Sequence, residues 1–219
     1  MFSLRLDNKS RMSGDAQVRF CESLRVRLPW ATRRLVHCKT EEQALALLNQ
    51  LAQRFNQCGL ELHPDKTKVV YCKDKTRRSK FSVTSFDFLG YNFKPRLVRS
   101  RDGKMFVGFN PAVSSSASKA MRDRVRQWKL KYRVELSLEE IAVYCNPVLR
   151  GWMQYYGAYS PSSLEPVWNQ FNSVLVKWAM RKYKKINGKT RAARMLESTQ
   201  QKRPTLFAHW EVGVGRSFA

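Results

Sequence analysis

The feature that most constrains this fold is a change in the spacing of apolar residues at Asn110-Pro111. Before it, apolar and aromatic residues tend to alternate with polar ones, a pattern typical of half-buried β-strands. After it, apolar residues recur at the spacing of one face of an α-helix. The sequence therefore predicts an α+β protein, with a small helix-and-strand part followed by an all-α helical bundle.

The part before this change is predicted to hold one helix, at residues 40–58. Thr40 is a good N-cap, Gln43 completes a capping box with it, and Gly59 stops the helix. An Asp-Gly pair between strand-like runs predicts a hairpin at Arg101-Asp102-Gly103. The apolar face of the helix is expected to consist of Leu45, Leu48, Ala52 and Phe55. Strands are predicted at 67–72, 86–93, 97–100 and 104–109.

The part after the change is predicted to contain only helices. Ser114–Ser116 offer N-caps for the first helix, and Ser137 with Glu140 forms a capping box for the second. Pro147 is expected to end that second helix, because proline cannot donate to the helical ladder. The predicted helices are 117–134, 137–146, 148–159, 162–186 and 190–201.

The net charge limits the classes of partner. The chain has 219 residues with 41 Lys and Arg against 17 Asp and Glu, a formal charge of +24. A basic surface of this size fits a nucleic acid best, whereas an anionic membrane surface and an idle solvated face are the alternatives. No stretch of about 18 uncharged apolar residues occurs, so no transmembrane helix is expected. The five scattered cysteines predict neither a disulfide framework nor a zinc site.

Several motifs, in this order and spacing, resemble the reverse transcriptases and maturases encoded by group II introns. Two of them lie before the boundary and the others after it, and together they cover about residues 35–211. The segments that carry the resemblance are 59–68 (GLELHPDKTK), 86–93 (FDFLGYNF), 146–157 (NPVLRGWMQYYG), 178–183 (WAMRKY) and 207–210 (FAHW). The resemblance implies a partial polymerase palm, a thumb and a maturase-specific RNA-binding domain.

This resemblance also suggests which residues meet nucleic acid. The strand pair around Phe88, Leu89, Gly90 and Tyr91 would support a primer terminus, although its aromatic rings are also suited to packing the sheet. Positions 152, 155, 156 and 159 share one helix face, which is either a core face or an RNA contact. The residues expected to contact phosphates are Lys66, Lys68, Arg150, Arg181, Lys182, Lys184, Lys185, Lys189, Arg191 and Arg194, with solvated lysines as the alternative.

One part of the family pattern is missing from this chain. Active relatives bind two Mg²⁺ ions with an Asp-Asp pair just before a Val-His-Cys segment. Here Leu35-Val36-His37-Cys38 anchors the alignment, and the pair falls on Thr32 and Arg33. We therefore expect no catalytic residues, no metal and no cofactor in this chain, and no polymerase activity of the chain alone. A truncated reading frame and a protein that kept only RNA binding both fit this pattern.

The resulting hypothesis has three segments: a divergent stretch at 1–29, a partial palm at 30–112 and a thumb/maturase-specific helical domain at 113–219. We expect an RNA-binding fragment of a group II intron reverse transcriptase/maturase that supports splicing or mobility. The alternative is a polymerase remnant that binds nucleic acids only nonspecifically. The expected partner is structured intron RNA, with an RNA/DNA hybrid or a DNA target as further candidates. The expected location is the cytoplasm, within a ribonucleoprotein and away from membranes.

Overall fold

The computed structural model describes residues 35–63, 67–76, 80–100, 102–186, 188–211 and 218. It has the expected α+β class, with helices and a three-stranded antiparallel sheet. Short 3-10 turns lie at Leu130–Tyr132 and Pro161–Leu164. The elements in chain order are α1 (Glu41–Gln57), β1 (Phe86–Phe88), β2 (Tyr91–Arg99), β3 (Met105–Val113), α2 (Ser115–Gln127), α3 (Leu138–Tyr156), α4 (Glu165–Lys182), α5 (Lys189–Lys202) and α6 (Ala208–Glu211).

The chain divides into two compact units. Of the described residues, the first unit contains those up to 88 together with 93–110, and the second contains 89–92 and those from 111 onward. The predicted divergent segment, 1–29, lies outside the described residues. Among the described residues, no helix is both long and apolar enough to cross a membrane.

Helix α1 begins at the predicted cap. The Gln43 N–H donates to Thr40 Oγ1 over 3.2 Å, while the Gln43 side chain accepts from the Lys39 N–H over 3.1 Å rather than from the N-cap itself. Its only fully buried residue is Ala44. The expectation that Leu45 lies on the apolar face is wrong, since the buried stripe runs through Ala44 and leaves Leu45 exposed.

Two predicted strands differ from the observed sheet, whose strand order is β1-β2-β3. Residues 67–72 form no strand, although the Tyr71 N–H donates to the Val83 carbonyl over 3.0 Å. The predicted strand 86–93 is interrupted by a turn at Leu89-Gly90, so β1 and β2 form a hairpin instead. The hairpin predicted at Asp102-Gly103 is confirmed, because it joins β2 to β3.

The first bundle helix is shorter than predicted. α2 begins after Ser114, whose side chain accepts from the Ala117 N–H, and ends at Gln127 rather than near Val134. Lys129 then adopts a left-handed conformation with φ 50°. This turn directs both Trp128 and Leu130 into the core. In a continuous helix, two such positions would point to nearly opposite sides.

The second and third predicted bundle helices are one helix, α3, which begins with the predicted Ser137–Glu140 capping box. The expectation that Pro147 ends it is wrong, because the helix continues to Tyr156. Pro147 removes the hydrogen bond that would reach the carbonyl of Val143. Both residues lie on the exposed face, where water can replace that bond.

Helix α4 supplies more of the buried core of the second unit than any other described helix. It ends at Lys182, four residues before the predicted end near Ile186, and α5 follows close to its predicted limits. Trp178, Trp168 and Phe171 are among its fully enclosed side chains. The whole predicted apolar face is buried: Leu164, Val167, Trp168, Phe171, Val174, Leu175 and Trp178.

Candidate nucleic-acid interface

The motif expected to support a primer terminus forms a tight turn in the second unit. Leu89 has φ 50° and Gly90 has φ 80°, the two positive angles of a type I′ hairpin turn. Leu89 and the preceding Phe88 are not fully buried, whereas Tyr91 is buried. The segment is therefore a turn that exposes the Leu89 side chain, with strands on either side, rather than one continuous strand.

Two tyrosines hold this turn against the end of α3. The Tyr91 hydroxyl donates to the Tyr155 carbonyl, and the Tyr155 hydroxyl donates to the Leu89 carbonyl over 3.0 Å. The Ser114 N–H donates to the Gly90 carbonyl over 2.9 Å. Burial raises the pKa of Tyr91 to about 12, so its hydroxyl keeps its proton and remains a donor at neutral pH. The turn is therefore held against α3 by one tyrosine from β2 and one from α3.

The face formed by positions 152, 155, 156 and 159 packs against other aromatic rings. Trp152 stacks on Trp128 with centroids 5.9 Å apart, and Tyr159 meets the Tyr91 ring edge-on at 5.6 Å. Tyr155 and Tyr159 remain partly open to solvent. All four rings of this face thus pack against other aromatic rings, although two of them are also exposed. Arg150 on the same helix is exposed.

The basic run after residue 180 spans a helix end and a turn. Arg181 and Lys182 close α4, while Lys184 and Lys185 lie exposed in the turn that follows. Lys182 donates to the Leu136 carbonyl over 2.6 Å, which gives its ammonium group an intramolecular partner. Lys184 and Lys185 are therefore better placed than Lys182 to bind an external anion.

Helix α5 continues this basic surface. Lys189, Arg191 and Arg194 are exposed, whereas Ala192 and Leu196 on the opposite side are buried. The small residues of α5 therefore pack on the core, and its long cationic side chains face solvent. We call the five exposed cations Lys184, Lys185, Lys189, Arg191 and Arg194 the basic surface.

The remaining candidate residues lie elsewhere. Lys68 is exposed in the first unit, and Lys66 falls outside the described residues. Thr32 and Arg33, which stand at the family's carboxylate positions, also lie outside the described part of the chain. In the described ranges, no group of three or more His, Cys, Asp or Glu residues could hold a metal ion.

Burial shifts the pKa of one cysteine and two histidines among the described residues, and all three stay uncharged at pH 7. Burial raises the pKa of Cys145 to about 12, so its thiol stays protonated and is a poor nucleophile. Burial lowers the pKa of His209 to about 3 and that of His37 to about 4. Both imidazoles are therefore neutral at pH 7, and neither adds positive charge for a nucleic acid.

Sequence reasoning missed an aromatic residue beside the basic run. The Arg181 guanidinium lies 4.6 Å from the ring centre of Tyr132, and the Lys131 ammonium also lies 4.6 Å from it. The signal that could have revealed this cluster is the alternation of cations with apolar and aromatic residues at 128–133. Such interleaving is typical of surfaces that bind nucleic acids.

The comparison with protein families identifies the part of the chain that holds these cations. Residues 118–196 match the family described as group II intron, maturase-specific domain. These residues include most of α2, all of α3 and α4, and much of α5. The comparisons with curated proteins and with solved structures found no match. The resemblance deduced from the sequence is thereby confirmed for residues 118–196, the part of the chain that the family model covers.

Proposed function

The chain carries a group II intron maturase-specific domain, and we propose that it binds structured intron RNA and supports the splicing or mobility of that intron. Domains of this family act on group II introns, and this chain has the charge needed to bind RNA. The RNA would be recognised mainly through its phosphates and its shape. An RNA/DNA hybrid or a DNA target would be a further ligand during mobility, and a cytoplasmic ribonucleoprotein would be the setting.

The observation that carries this proposal is the basic surface within and just beside the α4–α5 connection. All five of its cations are exposed. In the described part of the chain, none of them has a carboxylate within salt-bridge distance. Cations without an ion-pair partner can neutralise RNA phosphates and release the counterions condensed on the RNA, which supplies a large share of the affinity for nucleic acids.

Binding to intron RNA at several salt concentrations tests the proposal. We expect the wild-type chain to bind structured intron RNA more tightly than duplex DNA or single strands of equal length. Replacing Lys184, Lys185, Arg191 and Arg194 by Gln should flatten the slope of log K against log salt by about 3 units, at 0.7–0.9 per lost contact. Equal affinity for all three ligands would instead favour the alternative, a remnant with nonspecific binding.

We also expect the purified chain to lack polymerase activity. Thr32 and Arg33 replace the carboxylates that would hold Mg²⁺, and an arginine there would repel the cation. Incubation with a primed RNA template, deoxynucleotides and Mg²⁺ or Mn²⁺ should leave the primer unextended. Template-dependent extension above a control without protein would contradict this expectation.

A further inference from the structure

A groove on the second unit, lined by none of the basic-surface residues, has four cations among its lining residues. It lies where the end of α2, the 3-10 turn at Leu130–Tyr132 and the middle of α4 meet, and it has a volume of about 360 Å³. Val125, Leu130 and Val174 are its buried apolar residues. Its rim carries Arg126, Lys129, Lys131, Tyr132 and Lys177.

Cations in this groove and beside it lie close to Tyr132. Tyr132 is 56% exposed, and its ring is within cation–π distance of both Lys131 and Arg181. A hydrogen bond from Lys131 and the positive charges of Lys131, Arg181 and Lys129 lower the pKa of the Tyr132 hydroxyl. The charges that act on this phenol are thus all positive, although the groove is open to solvent.

The backbone supports this arrangement. Lys129 is one of two described non-glycine residues with positive φ, and it turns the chain between α2 and the 3-10 turn. That turn brings Lys129 and Lys131 to the rim while Leu130 between them is fully buried. Among the rim cations, Arg126 is paired with Asp123. In the described part of the chain, Lys129, Lys131 and Lys177 have no such ion pair.

From this convergence of cations around an exposed tyrosine hydroxyl, we propose that the groove binds a phosphodiester segment of an RNA strand. The side chains of Lys129, Lys131 and Lys177 would neutralise consecutive phosphates, together with Arg181 beside the groove. The Tyr132 hydroxyl would donate a hydrogen bond to a phosphate oxygen. The ring of Tyr132 holds Lys131 and Arg181 near that position. This inference rests on the proposed function and names a second contact region for the same RNA, beyond the basic surface.

The groove can be tested with matched double variants in the full chain. Lys131→Gln/Lys177→Gln removes two groove cations, and Lys119→Gln/Lys202→Gln removes two cations from outside the groove on the same unit. We expect the groove variant to weaken binding of structured intron RNA by at least about tenfold at 0.1 M salt. Its slope of log K against log salt should be flatter by about 1.4–1.8 units, as for two lost phosphate contacts. The control variant should change both values much less.

Variants of Tyr132 separate the roles of its hydroxyl and its ring. Tyr132→Phe should weaken binding with an unchanged salt slope, since it removes a donor but no charge. Tyr132→Leu should weaken it further, because the cations lose their aromatic support. Circular dichroism should report an unchanged fold for both variants, since this side chain is exposed. A wild-type affinity in Tyr132→Leu would overturn the assignment of this residue.

The outcomes distinguish the groove from the proposed function. If wild-type chain binds intron RNA and the groove and control variants behave alike, the groove is not a contact region, while the proposed function stands. If wild-type chain shows no binding to structured intron RNA at any salt concentration, the proposed function itself fails, and the groove assignment falls with it. A selective loss in the groove variant supports the groove assignment.

Discussion

His209 is a titratable residue enclosed almost completely by aromatic rings. Its ring stacks on Trp168 with centroids 5.4 Å apart and meets the ring of Phe171 edge-on at 5.2 Å. Nε2 lies 2.8 Å from Asn172 Oδ1. Because an amide oxygen only accepts, Nε2 carries the hydrogen and donates a hydrogen bond to it. Nδ1 is buried without a hydrogen-bond partner in the described residues. Protonation would therefore add an uncompensated charge to the core.

This burial predicts a loss of stability in mild acid. The pKa of His209 falls from 6.5 to about 3 on folding, so the unfolded chain binds more protons between these values. The free energy of unfolding should then decrease as pH falls below 6.5, by up to about 1.4 kcal/mol per pH unit from this group. Urea unfolding at pH 7 and pH 5 measures the decrease. In His209→Gln, the decrease in the free energy of unfolding between pH 7 and pH 5 should be smaller than in wild type by about 2 kcal/mol. An equal decrease in wild type and variant would contradict the prediction.

Gly90 has a backbone conformation that residues with a side chain rarely adopt. Its φ of 80° is strained for any side chain, and an added Cβ would lie 2.7 Å from the Tyr156 hydroxyl. Gly90→Ala should therefore lower the free energy of unfolding by about 2–3 kcal/mol. Gly59 has a φ of 70° but open space around it, so Gly59→Ala should cost only about 1 kcal/mol. Equal losses in thermal unfolding would show that the contact with Tyr156 is relieved.

At the scale of elements, α3 continues through Pro147, although the local preference of proline predicts that a helix ends there. The chain tolerates Pro147 because the broken hydrogen bond faces solvent beside Val143, which is 76% exposed. The core contacts of Ile141, Cys145 and Leu149 extend on both sides of the proline along the buried face. Tertiary packing thus maintains a helix that local preference would end.

Restoring the missing donor should stabilise α3. Pro147→Ala supplies an N–H for the Val143 carbonyl and should raise the free energy of unfolding by about 1–3 kcal/mol, measured by chemical denaturation. Pro166→Ala is the matched control, because Pro166 lies in the first turn of α4, where proline is well tolerated. A stabilisation of similar size in the control would point to a general effect of removing proline.

Helix positions were predictable where a long apolar stripe recurs, as in α4, whose predicted buried face is confirmed in full. Predictions failed where a single residue sets the end of a helix, or where a strand depends on finding a partner strand. Lys129 ends α2 through its left-handed backbone, which the periodicity does not encode. Residues 67–72 have β-branched side chains and a buried Val70, yet they are not part of the sheet. Local sequence does not reveal whether such a segment finds a partner strand.

The sequence predicted which exposed cations form the candidate site, but not the contacts that some of them make within the chain. The exposure of Lys184, Lys185 and the α5 cations accords with the sequence pattern, although their contact with RNA stays a prediction. The internal hydrogen bond of Lys182 and the approach of Arg181 to Tyr132 depend on chain segments 46 and 49 positions away in sequence. Contacts of that kind follow from the packing of α4 on the preceding loop and not from any motif.

At the scale of the whole molecule, the net charge of +24 opposes folding while it favours binding to a polyanion. Two ion pairs are resolved in the described residues, Arg126 with Asp123 and Arg203 with Glu139, and all four side chains are substantially exposed. Exposed pairs of this kind contribute little, so they offset only a small part of the repulsion. An excess of like charge of this size thus lowers the stability of the free protein.

This conflict predicts opposite responses of stability and binding to salt. Raising NaCl from about 0.05 M to 0.5 M shortens the screening length from roughly 14 Å to 4 Å, which weakens the repulsion among the cations. The melting temperature of the free chain should therefore rise, while its affinity for intron RNA falls steeply. The variant with Gln at 184, 185, 191 and 194 should melt higher than wild type at 0.05 M NaCl and gain less from added salt. If it melted lower, these side chains would stabilise the fold through contacts within the chain, and the basic surface would no longer be free to bind RNA.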